Sequence, residues 1–234
     1  MGFYDTLSQF YDRIFPVKQA QLDFLRQNHE NLKVLDIACG DGGYLNKLSE
    51  HGFYGYGIDL DQRMIDTANK KKTSEKIDFY KMDMMQIGSF PEDNFDLLYC
   101  IGNSLVHLDS LENVDRLLRK TFHLLKTGGY LVLQIINYDR VLDQDIQSLP
   151  TIVSENLIMK RTYKHEPMKI RFITTLHVDG HRYKQEVSLL PVRFSWLKTT
   201  LHDIGYQIIE DFGDFEGNSF SQQDSMSLII RAKK

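Results

Sequence analysis

"VLDIACGDGGYL" runs from Val34 to Leu45. A short apolar run stops at a loop rich in glycine, and Asp36 sits inside the run. Such a run, closed by glycines, reads as a buried strand followed by a turn. The carboxyl edge of a first strand is where open α/β sheets hold nucleotide-like ligands. The dinucleotide fingerprint GxGxxG needs a glycine three residues after Gly42, and that position is Leu45. What remains is D-x-A-C-G-x-G, namely Asp36, Ala38, Cys39, Gly40 and Gly42. Glycines there allow backbone conformations and a close ligand approach that a Cβ would block.

Outward from the loop, strands and helices alternate. Residues 33–38, 55–60, 76–83, 95–102 and 129–136 read as strands with little polar alternation. Between them, 43–52, 61–72 and 110–129 have helical periodicity. Asp61 is a candidate N-cap for the second of these. The third carries an apolar stripe of Leu111, Val114, Leu117, Leu118, Phe122 and Leu125. A further helix is expected over 17–29, with Leu22, Phe24 and Leu25 on one side. This rhythm predicts a parallel sheet covered on both faces. After Tyr138 it changes. Runs 154–163, 169–178 and 181–190 have no helix between them, and Asp179-Gly180 is a two-residue hairpin signal. A helix over 195–205 and strands over 206–213 and 225–233 complete the chain.

Three strand ends carry polar groups on the ligand-binding edge. Asp59 lies 17 positions past Gly42, where a carboxylate can accept both hydroxyls of a ribose. Asp83 ends the third strand at the height of an adenine amino group, with Met84 beside it to pack on the ring. "CIGNS" closes the pocket from the fourth strand. Singly, each of these residues is better explained as a turn or a helix cap. In register at successive strands, they describe a site.

Together these motifs resemble class I S-adenosylmethionine-dependent methyltransferases. "VLDIACGDGGY" resembles the family's first motif, "GIDLD" (with Leu60) its acidic second and "FYKMDM" its third. The resemblance covers about residues 30–136 and 190–234. It implies a Rossmann-like α/β sheet with a reversed last strand, plus an antiparallel β insert after strand five. The expected division is a methyltransferase core over 1–140 and 191–234 and an insert over 145–190, serving as a substrate lid or as the subunit contact of a homodimer. It also implies S-adenosylmethionine as cofactor and S-adenosylhomocysteine as product.

A narrower likeness, in "CIGNSLVHL" (100–108) and "NYDRVL" (137–142), is to the glycine and sarcosine N-methyltransferase branch. By that resemblance Ile101 contacts the cofactor's amino-acid part, Asn103 faces the substrate and His107 lines the cofactor pocket. The branch carries an arginine just before its asparagine-tyrosine-aspartate, which holds the substrate carboxylate. Here the position is Ile136, so glycine is disfavoured unless Arg171 or Arg193 supplies the charge.

Methyl transfer from a sulfonium needs alignment and exclusion of water more than a signature residue. A hydroxyl acceptor would want a general base, for which His107 or a tyrosine is the candidate. The two "FYD" repeats place Tyr4 and Tyr11 near the start. Tyr11 either reaches the methyl or carboxylate of the cofactor or anchors a helix; Tyr4 reads as packing. A small-molecule acceptor with a nitrogen or oxygen nucleophile is the leading expectation. A non-catalytic S-adenosylmethionine-binding regulator and an RNA or protein methyltransferase are the alternatives.

Other classes are disfavoured. A formal net charge of −4 argues against a nucleic-acid partner. No apolar run approaches the roughly 18 residues of a membrane span. The two cysteines form no CxxC pair, so a reduced, cytoplasmic protein is expected. His177 and His181 have metal-ligand spacing, but the hairpin turn would send their rings to opposite faces, so no metal site is expected. Cys39 reads as a small buried thiol rather than a nucleophile.

Overall fold

The computed structural model describes residues 10–27 and 29–234. Tyr4 lies outside them. Seven strands form the main sheet: β1 Lys33–Ile37, β2 Tyr54–Asp59, β3 Ile77–Lys81, β4 Phe95–Cys100, β5 Leu125–Ile136, β10 Ile208–Phe212 and β11 Ser227–Lys233. Their order is β10-β11-β5-β4-β1-β2-β3. The first five run parallel to one another, while β11 is antiparallel to both β5 and β10. This is the α/β sheet with a reversed last strand that the sequence predicts.

The apolar continuity of β1 has a direct cause. Val34 packs into a cluster with Leu45, Leu48 and Ile65 on one face, and Leu35 into a cluster with Leu117 and Leu118 on the other. A strand covered on both faces gains from apolar residues at every position. The covering helices are α1 Tyr11–Ile14, α2 Gln19–Arg26, α3 Gly43–Ser49, α4 Gln62–Lys71, α5 Leu111–Leu124, α6 Tyr138–Asp143 and α7 Phe194–Ile204. Asp61 caps α4 by accepting from the Arg63 N–H at 2.8 Å, as expected. The stripe of α5 is buried at Val114, Leu117 and Leu118, but Leu111, at the first turn, is exposed and Leu125 belongs to β5.

The second sheet is β6 Ser148–Ser154, β7 Leu157–His165, β8 Ile170–Val178 and β9 His181–Leu189, all antiparallel in that order. Asp179 and Gly180 both have positive φ, 49° and 76°, as a tight hairpin turn requires. Val178 pairs with His181 and His177 with Arg182, which separates the two imidazoles onto opposite faces. The sequence reading marks three of these four strands. It misses β6, an edge strand that carries Pro150 and a register shift between Leu149 and Ile152. It also misses the short α6, which Asn137 caps by accepting from the Arg140 N–H at 3.2 Å.

The sheets share one core. Tyr163, Ile170 and Leu189 of the second sheet belong to the same buried cluster as Leu35 and Leu133 of the first. Ile14 of α1 packs with Leu157, Met159 and Leu176. The N-terminal segment thus crosses from the glycine loop to the second sheet. No helix among the described residues is long and apolar enough to cross a membrane.

Candidate active site

The glycine loop leaves β1 in left-handed conformations: Ala38 has φ 62°, Gly40 56° and Gly42 77°. The two glycines have different reasons. A Cβ on Gly42 would stand 2.6 Å from Phe79, so that glycine lets β3 and α4 close on the loop. A Cβ on Gly40 would stand 3.0 Å from the hydroxyl oxygen of Tyr11, which covers the loop. Asp59 fixes this arrangement from β2. Its carboxylate accepts from the Gly40 N–H and the Asp61 N–H, each at 2.9 Å. Burial nevertheless raises its pKa above the ordinary carboxylate value.

Asp36 is 2% exposed and accepts from the Tyr99 hydroxyl at 2.9 Å. Burial pushes its pKa up to about 8, against the pull of the Tyr99 hydrogen bond. Asp41 is buried too, which raises its pKa, and it takes an ion pair from Lys71 at 2.6 Å. Lys71 also binds Asp12 of α1, so one cation joins α4, the loop and the N-terminal helix.

A cavity of about 630 Å³ lies between the loop and the second sheet. Asp36, Ala38, Cys39, Asp41, Tyr44 and Ile101 line one end. Ile136, Leu149, Ile152, Met159, Arg161 and Phe172 line the other. Tyr11 and the chain from Ile14 to Lys18 form a roof, and Asn103 and His107 stand between the ends.

Of the predicted site residues, Tyr11, Asp36, Ala38, Cys39, Ile101, Asn103 and His107 therefore line one space. Gly40, Gly42 and Asp59 lie beneath it as its support. Leu60, Asp83 and Met84 do not line it. Leu60 is 67% exposed. β3 stops at Lys81, two residues short of the expected end, and Asp83 instead caps a 3-10 turn over Met84–Ser89 by accepting from the Met85 N–H at 2.8 Å.

Asn103 has φ 69°, a conformation asparagine tolerates better than most residues. Its Oδ1 accepts from the Ile136 N–H at 2.9 Å, and its Nδ2 donates to the Tyr138 hydroxyl at 3.1 Å. It thus ties the strand-four loop to the end of β5. His107 lies in a 3-10 turn, Leu105–His107, and burial lowers its pKa, so the ring is neutral at neutral pH. The Cys39 thiol is pushed well up by burial, which leaves it protonated and unreactive.

Neither expected substitute for the arginine at position 136 lines the cavity. Arg171 pairs with Glu166 and Arg193 with Asp139 and Asp143. Among the cations that do line the cavity, with Arg13 and Lys18, is Arg161 of β7, which sequence reasoning misses along with Asp41 and Phe172.

Residues 35–133, the loop and the strands that carry it, match the model of a methyltransferase domain. The chain is also 28% identical to a glycine/sarcosine N-methyltransferase of Aphanothece halophytica, over 89% of this chain and 78% of that one. This chain is a class I S-adenosylmethionine-dependent methyltransferase. A phosphoethanolamine N-methyltransferase of Plasmodium falciparum is 35% identical to it over 45% of this chain and 39% of its own. In fold, the methyltransferase is similar to an S-adenosylmethionine-dependent methyltransferase from Clostridium acetobutylicum, with a TM-score of 0.80, 19% identity and 98% of each chain covered. Its cofactor is S-adenosylmethionine. The acids around the loop fit that ligand. Asp36 and Asp41 line the cavity and Asp59 lies beneath, so a sulfonium and an ammonium meet negative potential there.

Proposed function

We infer that this methyltransferase acts on a small molecule held in the cavity between the two sheets, and that the acceptor atom is an amine nitrogen. The observation that carries this reading is the cavity itself. Its volume of about 630 Å³ falls in the range of roughly 300–1,000 Å³ typical of small-molecule sites, and one wall is mostly apolar. The names of both curated relatives, which act on nitrogen, support the choice of atom.

S-adenosylmethionine, when bound, supplies an electrophilic methyl group; its sulfur keeps the electrons of the broken bond and leaves as a neutral thioether. The residues of the chain do the rest. Asp36, Asp41 and Ile101 would receive the amino-acid part of the cofactor, and Asp59 the ribose. Tyr11 and the roof exclude water from the reacting centre. Asn103 holds the strand-four loop against β5, which fixes the width of the space where the acceptor nitrogen must approach in line. A neutral amine attacks without a base. The neutral His107 can accept the proton that the methylated product releases.

The experiment is a coupled assay for S-adenosylhomocysteine over a panel of amines, phenols and acids, with cofactor binding followed by calorimetry. Turnover confined to amines is the expected result. Saturable cofactor binding with no turnover of any small molecule would remove the small-molecule reading and favour a binding protein.

A further inference from the structure

Arg161 sits on β7, whose alternation puts Leu157, Met159, Arg161 and Tyr163 on one face. Leu157, Met159 and Tyr163 are buried, and Met159 and Arg161 reach the cavity wall. One guanidinium nitrogen of Arg161 donates to the Pro150 carbonyl at 2.8 Å. Its Nε is buried with no partner, and among the described residues no carboxylate forms an ion pair with it. Two positions along the same face, the buried Tyr163 hydroxyl is also without a partner. Burial lowers the pKa of Arg161, the mark of a charge removed from water without a counter-ion.

Buried polar groups are almost always satisfied, and a guanidinium at a cavity wall with free donors is shaped for an oxyanion. The other cations lining the cavity are otherwise placed. Arg13 is tied to Glu155 and Asn156, and the backbone of Lys18 lies on the loop side, where its main-chain N–H donates to the Tyr44 hydroxyl at 3.4 Å. The cavity is thus acidic where the loop lies and basic where Arg161 lies. Ile136, which lines the same cavity, carries no charge. An adjoining cavity shares Ile136 and Leu149 with this one and is lined by a further cation, Arg140.

We propose that Arg161 is the specificity-determining residue of the acceptor site and holds the carboxylate or phosphate of an amine substrate. The inference rests on the amine reading above and adds what the amine must carry. An amine with an oxyanion at its other end is oriented by the field of the cavity, with nitrogen towards the loop and anion towards β7. The charge that the narrower family likeness places at position 136 is supplied instead from the second sheet.

The test compares anionic amines with their neutral counterparts. Glycine and sarcosine are set against glycinamide, and phosphoethanolamine against ethanolamine, for the intact enzyme and for Arg161→Met and Arg161→Lys. The anionic partner of at least one pair should be favoured by about tenfold or more in kcat/KM, and which pair responds names the oxyanion. Arg161→Met should erase that preference mainly through KM, with cofactor affinity unchanged, and Arg161→Lys should restore part of it. Equal use of neutral and anionic amines, or an equal loss on both in Arg161→Met, overturns the proposal. If no amine is methylated although the cofactor binds, the amine reading falls by itself. Arg161 is then judged by titrating inorganic phosphate and acetate into the S-adenosylhomocysteine-loaded protein. Saturable binding that Arg161→Met abolishes upholds the anion site, and no binding to the intact protein overturns it.

Discussion

The Tyr99 hydroxyl donates a hydrogen bond to Asp36 at 2.9 Å, beneath the glycine loop. With its pKa pushed up to about 8 by burial, the Asp36 carboxyl is mostly protonated at neutral pH before ligand arrives. A cationic ligand favours the carboxylate, so binding expels a proton. Cofactor affinity should therefore rise with pH between about 6 and 8 and level off above. Tyr99→Phe removes a bond to the ionised form and should move that rise to higher pH. Calorimetry in two buffers of different ionisation enthalpy counts the proton; a flat profile without proton release contradicts the assignment. For the stability of the unliganded fold the sign is opposite. A group raised from 3.8 to about 8 contributes stability that is full below the lower value and lost as pH rises through the upper.

Asp59 serves two backbone donors and, in the proposed site, the ribose. Asp59→Ala should weaken cofactor binding by more than about 1 kcal/mol, since a charge-assisted hydrogen bond contributes roughly 1.5–3. Asp59→Asn keeps one carbonyl oxygen for the loop and should fall between. An affinity unchanged in Asp59→Ala, with the fold intact, rules out the ribose contact.

Lys71 joins Asp41 to Asp12 and so holds α1 over the loop. Lys71→Met leaves the buried Asp41 without its cation and releases the roof. Trypsin should then cut after Arg13 roughly 3- to 10-fold faster, and saturating cofactor should slow that cut in both proteins. Identical cleavage rates would show that the roof is held by the packing of Ile14 alone.

Asn103 combines a left-handed backbone with two hydrogen bonds. Asn103→Ala should cost about 2 kcal/mol of stability, half from the backbone and half from lost bonds, and reduce turnover while sparing cofactor affinity. Asn103→Gly relieves the backbone and isolates the bonds. Denaturant melts of the two variants give the difference, and equal stabilities would show that the φ of 69° stores nothing.

The main sheet was legible because burial on both faces forces apolar runs such as Tyr130–Leu133 of β5, and because the loop announces itself by glycine. The capping role of Asp61 and the hairpin at Asp179-Gly180 were legible for the same local reason. The end of β3 falls at Lys81 rather than at Asp83 because the end of a strand depends on its neighbour's length, which no local pattern records. Arg161 and Phe172 were invisible as site residues. Their place at the cavity wall follows from how two sheets pack across the core, and nothing within a few residues of either signals it. Gly42 illustrates the reverse. The glycine itself is legible, but the ring of Phe79 that a Cβ would strike, which the structure adds as a reason for it, is not.

All four strands of the second sheet come from one uninterrupted stretch, Ser148–Leu189, whereas the loop and its carboxylates lie entirely before it. Recombination that exchanges this single stretch replaces the far wall of the cavity except Ile136 and leaves the near wall untouched. On the proposed reading of the site, substrate range and cofactor chemistry are thereby heritable as separate traits, and a lineage built on this plan can diversify the one without risking the other.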